Sequence, residues 1–180
     1  TKGQSIPRYL TAIGPEGVVT HTRWLEQQGY QVYLLADHYG IATHLLEPLA
    51  QAAVERGYVV HPCDDPFCPN GKLLQVVIPE LKLAFVSVEE KSDYTGPTKR
   101  TINLDRYLGQ HPLAGKRGLY RLQKKLLADF TQEAIFALQD AKHCHDLLER
   151  CYMPCTDFAA SDLFQATFLR RLLQKPPRFS

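Results

Sequence analysis

The segment from residue 31 to residue 61 constrains this chain most. Gln31 to Ala36 (QVYLLA) is β-branched, aromatic and apolar without a long polar gap. Such a run suits a strand buried on both faces, as in a parallel sheet. Asp37-His38-Tyr39-Gly40 follows as a loop. Residues 43–56 then carry Leu46, Leu49, Ala50, Ala53 and Val54 at helical spacing. Pro48 lies in the early turns of that helix, where proline is best tolerated, and Gly57 stops it. Residues 58–61 start a second strand. Strand, loop, helix and strand over this length read as a βαβ unit, which predicts an α/β fold with a mostly parallel sheet.

The rest of the chain is arranged around that unit. Residues 1–30 form an irregular N-terminal segment with a turn at Gly14-Pro15-Glu16-Gly17 and a short helix over 20–28, stopped by Gly29. Residues 62–71 (PCDDPFCPNG) read as a loop. Val76-Val77-Ile78 and Leu83 to Val88 are strand candidates, residues 89–100 are expected to be mobile, and residues 101–104 suit an edge strand. From Gly118 onward Leu119, Leu122, Leu126, Phe130, Ala134, Ala137, Ala141, Cys144 and Leu148 step by three or four, predicting one long helix with a core-facing stripe, closed by Pro154. A last helix over 161–174 turns Leu163, Ala166, Leu169 and Leu173 inward and stops at Pro176-Pro177. At 180 residues, the reading is a single domain: N-terminal segment 1–30, α/β core 31–104 and helical part 115–175.

Composition excludes several function classes. No stretch approaches the roughly 20 apolar residues of a membrane span, and Thr1 to Arg8 do not read as a signal peptide. Residues 1–90 hold six Lys/Arg against ten Asp/Glu, and residues 91–180 fifteen against nine. Solvated helix faces account for the basic half, and nucleic acid is not the expected partner. The five cysteines (63, 68, 144, 151 and 155) match no common zinc spacing. Free thiols in a reduced cytoplasmic protein are the expected state.

A buried strand leading through a loop into a helix N-terminus makes an anion site of free N–H groups. A phosphate loop of the form G-x-x-x-x-G-K-[ST] would occupy residues 36–43. Those residues are Ala36-Asp37-His38-Tyr39-Gly40-Ile41-Ala42-Thr43, so only Thr43 satisfies the pattern.

Other segments carry a resemblance. These are Arg8-Tyr9-Leu10-Thr11-Ala12-Ile13-Gly14-Pro15-Glu16-Gly17, the segment Ala52 to Tyr58, His61-Pro62-Cys63-Asp64-Asp65-Pro66, Val77-Ile78-Pro79-Glu80-Leu81, and Ala141 to Tyr152 followed by Asp157-Phe158. Together they resemble a family of uncharacterised bacterial P-loop ATPase-like proteins, some of which carry two such units in tandem. The resemblance implies a three-layer P-loop NTPase-like sandwich with a C-terminal helical extension. It implies a nucleotide site at Asp37, His38, Gly40, Ala42, Thr43 and His44. Ala42 stands where the family has its lysine, and Ser87 where a strand-end Asp would help hold magnesium. Binding of ATP and magnesium is therefore expected to be weakened and ATP hydrolysis nearly abolished.

Two polar clusters remain. Lys142, His145, Glu149 and Tyr152 share one helix face, and they match the family pattern. His61, Cys63, Asp64 and Asp65 follow the second strand, at the carboxyl edge where α/β sheets place ligands. The first functional expectation is a non-hydrolysing regulatory module that binds a nucleotide or phosphate, partnered by a second P-loop unit or a second copy. The alternative is an enzyme acting on a phosphorylated small molecule through His145, Glu149, Lys142 and Asp64, with or without a divalent metal.

Overall fold

The computed structural model describes residues 2–68, 71–108 and 116–173. The chain divides into two compact units, Thr1–Phe136 and Ala137–Ser180.

The first unit opens with a hairpin, β1 (Thr11–Gly14) and β2 (Gly17–Thr20), paired antiparallel in register Thr11 to Thr20. Gly17 has φ +105°, a conformation that β-branched or bulky residues avoid, so the tight turn depends on it. A short helix, α1 (Thr22–Gln27), leads to β3 (Gln31–Ala36) and then to α2 (Thr43–Glu55). Four strands follow: β4 (His61–Asp64), β5 (Leu73–Ile78), β6 (Leu83–Val88) and β7 (Arg100–Asn103). The sheet order is β4-β5-β6-β3-β7.

This sheet is mixed, and it corrects the expectation of a mostly parallel P-loop sandwich. β3 pairs parallel with β6 and β7, while β4–β5 and β5–β6 are antiparallel. Chain length between the strands is the cause. A parallel neighbour needs a crossover of roughly a dozen residues or more. Only Pro79 to Lys82 separate β5 from β6, and they form a 3₁₀ turn that Lys82 closes at φ +51°. The strand after α2 also starts later than its composition indicates, at His61, and it does not lie beside β3. Residues 31–61 hold the expected elements without forming an adjacent βαβ pair.

Both faces of the sheet are covered. On one, Leu35, Val60, Val76 and Ile78 pack with Leu46, Ala53 and Val54 of α2. On the other, Val32, Leu34, Val77, Ala84 and Val86 pack with Leu25 of α1 and with Tyr94. β3 contributes to both clusters, as its unbroken apolar run requires. Each fully buried Leu or Val here contributes about 1.5–3 kcal/mol. Within residues 89–100, residues 91–93 form a 3₁₀ turn closed by reciprocal Glu90 and Asp93 capping, and Tyr94 is buried. β7 is the edge strand foreseen near residue 101.

The long helix is α3 (Arg117–Tyr152), whose last residues fall in the second unit. A 3₁₀ turn at Met153–Cys155 and then α4 (Phe158–Leu173) complete that unit. The apolar stripe of α3 is exposed, not core-facing: Leu119, Leu122, Leu126, Phe130 and Leu148 all face solvent, and Ile135 is buried instead. On α4, Leu163, Ala166, Leu169 and Leu173 are exposed too. Periodicity reports that a helix has an apolar side, not what covers it. The expected stop at Pro176-Pro177 and the helix end at Gln174 lie outside the described residues. Among the described residues no helix is long and apolar enough to cross a membrane.

Candidate functional site

The carboxyl ends of β3 and β6 open into a cleft of about 840 Å³ in the first unit. Asp37, directly after β3, decides what this edge can hold. Its carboxylate accepts the N–H of Ile41 at 2.9 Å and of Ala42 at 2.7 Å. The residue is only 6% exposed. The Ile41 and Ala42 N–H groups, just before α2, are therefore satisfied by the chain's own carboxylate, at the place where a phosphate was expected. A second anion there would meet a buried negative charge.

The other residues of this loop are engaged as well. The Thr43 hydroxyl accepts the N–H of Leu73 at 3.1 Å and lies 3.4 Å from the Leu73 carbonyl oxygen. Ala42 is buried in the core, and His44 is exposed. Gly40 adopts φ +73°, and a Cβ there would sit 3.7 Å from Cε of Lys72. A nucleotide triphosphate with magnesium does not fit this arrangement. The donors it would use are occupied, the hydroxyl that would reach the metal is bonded, and no lysine follows Ile41.

His38 is held between two carboxylates. Its Nδ1 lies 2.6 Å from Asp105 Oδ2, its Nε2 lies 3.1 Å from Glu90 Oε1, and its backbone N–H donates to Asp105 Oδ1 at 3.2 Å. The hydrogen bond to Asp105, with Glu90 adding to it, raises the imidazole above the ordinary histidine value, against a smaller opposing effect of burial. The Tyr120 hydroxyl donates to the His38 carbonyl, and its ring lies 5.3 Å from that of Tyr39. His38 thus ties the loop after β3 to the residues after β6 and β7.

The cleft itself holds two lysines and one orphaned acceptor. Lys124 of α3 pairs with Glu89 and lies over the Tyr120 ring. Lys72 lies 3.2 Å from Asp65. Burial first, and then the neighbouring Lys72 charge, lowers the Lys124 ammonium below the usual lysine range. Gln75 on β5 also lines the cleft and is 2% exposed. Its side-chain Oε1 is buried without a hydrogen-bond partner. An unpartnered buried acceptor costs about 1–3 kcal/mol, so its retention needs a reason.

Sequence reasoning missed Gln75, Lys72, Lys124 and Tyr120. A signal for Gln75 was present: it interrupts the apolar run Leu73-Leu74-Gln75-Val76-Val77-Ile78, in a strand buried on both faces. The two lysines come from a loop and from a distant helix, and no spacing links them.

The remaining residues singled out in the sequence lie elsewhere. His61 Nδ1 meets the Ile6 carbonyl oxygen at 3.0 Å. Cys63 is buried, and burial together with the nearby Asp64 pushes its thiol up to about 12. Asp64 belongs to β4 of the first unit, whereas Lys142, His145 and Glu149 belong to the second. Lys142 pairs with Asp146 at 3.2 Å, and His145 lies 3.6 Å from Glu149. His145, Asp146 and Glu149 bring their ligand atoms within 4.8 Å of one another, on a helix face with His145 62% exposed.

Comparison with family models, with curated proteins and with solved structures finds no match to this chain. The chemistry of the cleft is therefore argued from its own residues.

Proposed function

We propose that the first unit is a binding module for a small phosphorylated molecule, held in the cleft between Gln75, Lys72 and Lys124. The buried, unpartnered Oε1 of Gln75 carries this reading. Once neighbouring side chains shift to expose it, it can accept an N–H or O–H from the ligand. Lys72 and Lys124 each offer three donors and have one carboxylate partner apiece, so a phosphate placed between them relieves their mutual repulsion. The module works in the cytoplasm, where its free cysteines stay reduced.

The test is thermal unfolding with inorganic phosphate, sugar phosphates and nucleotides, with and without magnesium. A ligand at 100 times its dissociation constant stabilises by about 2.7 kcal/mol, a shift of several degrees. Gln75→Met should raise the unliganded midpoint, by about 1–2 kcal/mol of stability, and remove the ligand shift. Lys124→Met should remove the ligand shift alone. Were Gln75→Met to destabilise the protein and leave a ligand shift intact, the reading would be wrong. Silence from every phosphorylated compound at millimolar concentration would reject it too.

A second reading rests on the His145–Asp146–Glu149 cluster, which has a ligand set suited to a divalent metal. It takes the protein to be a metal-assisted enzyme acting on a phosphorylated substrate. Stoichiometric metal in the purified protein, lost in His145→Ala together with phosphatase activity, would favour it over the cleft.

A further inference from the structure

The second unit leaves large apolar side chains uncovered. Every residue of α4 is exposed, including Leu163 at 70%, Phe164 at 71% and Leu173 at 85%. Phe158, Phe168, Leu169 and Leu172 are exposed beside them, and the Phe164 and Phe168 rings stack 6.1 Å apart. Apolar residues lie nearly all round this helix, the pattern of a helix inside a bundle. A helix of this length is marginal in water by itself, so it needs packing to persist. Three aromatic rings at about 150–250 Å² each, together with four leucines, offer on the order of 800 Å², about one partner's share of a standard interface.

Charge selects the occupant. Asp157 precedes α4 and accepts the Ala160 N–H, Asp162 lies in the second turn, and Arg170 and Arg171 lie in the last turn. Two copies laid antiparallel bring the acidic start of each against the basic end of the other. Laid parallel, they would oppose like charges. We propose that α4 is a self-association element, pairing antiparallel with α4 of a second copy of this chain within a helical bundle.

The experiment is light scattering on the full chain from about 1 to 100 μM, with matched charge variants. The wild type should be dimeric at the upper concentrations. Leu163→Glu with Phe168→Glu should make it monomeric, and the thermal midpoint of the first unit should not change, because both side chains are exposed. Asp162→Lys alone and Arg170→Glu/Arg171→Glu alone should each weaken the dimer. Mixing these two variants should restore it as a heterodimer, because each then supplies the charge the other lacks. A wild type that stays monomeric throughout overturns the proposal, including one whose α4 resists proteolysis because its own chain covers it. So does a dimer indifferent to the paired glutamates, or a mixture that fails to recover.

Discussion

Thr1–Phe136 packs apolar clusters on both faces of one sheet, whereas no described residue of Ala137–Ser180 is buried. The two regions share similar raw material, leucines and aromatics at regular spacing. They differ in how far the chain itself supplies the cover: it does so around the sheet of the first unit, while Leu119, Leu122, Leu126 and Phe130 of that unit and every residue of α4 stay exposed. In the first unit the strands and α2 enclose one another, so its stability is an intrinsic property. In the second, the apolar side chains of α4 are exposed, and the proposed pairing would supply their cover.

The largest expected effect breaks this comparison if it fails. Leu46 is fully buried between α2 and the sheet. Leu46→Ala should cost about 2–5 kcal/mol, read as a lower denaturation midpoint. Leu163→Ala on α4, measured at micromolar concentration, should stay within about 0.5 kcal/mol of the wild type. Equal losses at the two sites would mean that α4 is covered within a single chain.

Asp37 tests a smaller claim about the first unit. Asp37→Ala would leave the Ile41 and Ala42 N–H groups without their acceptor at a buried helix start. The expected loss is about 1–3 kcal/mol. Asp37→Asn keeps an acceptor and should cost less. If Asp37→Ala were neutral, the carboxylate would not be the group that satisfies this helix end, and a phosphate at that position would regain its physical basis.

The residue pattern made the element types legible and left their assembly hidden. The apolar run of β3, the amphipathic α2 and the turn glycines Gly17 and Gly29 read directly, because each is a local choice of backbone conformation. Strand direction needed another step. The four residues between Ile78 and Leu83 already exclude a parallel neighbour, yet the βαβ spacing of residues 31–61 and the resemblance to P-loop proteins both pointed to a mostly parallel sheet. β4 was harder to foresee, since Pro62, Cys63 and Asp64 have turn composition and are drawn into the sheet by pairing with Leu73 to Val77. The cleft was least legible. The clamp on His38 is not visible in the sequence because Glu90 and Asp105, which hold it, lie 52 and 67 positions away.

His38 gives the smallest effect and the finest test of the first unit. Its folded pKa lies above the unfolded value of about 6.5, since Asp105 and then Glu90 favour the imidazolium. The native state therefore binds the proton more tightly than the unfolded chain. The stabilisation is fully present below about pH 6.5 and fades as pH rises through the folded pKa. His38 is partly exposed, so solvent screening keeps the gain small. Denaturation midpoints should fall modestly between pH 6 and pH 9 in the wild type, on the order of the shift expected for one screened ion pair. In His38→Asn that part of the slope should vanish, and Asp105→Asn should reduce it more than Glu90→Gln, because Asp105 makes the shorter contact. A slope identical in all four proteins would show that His38 does not clamp the loop after β3 to the ends of β6 and β7.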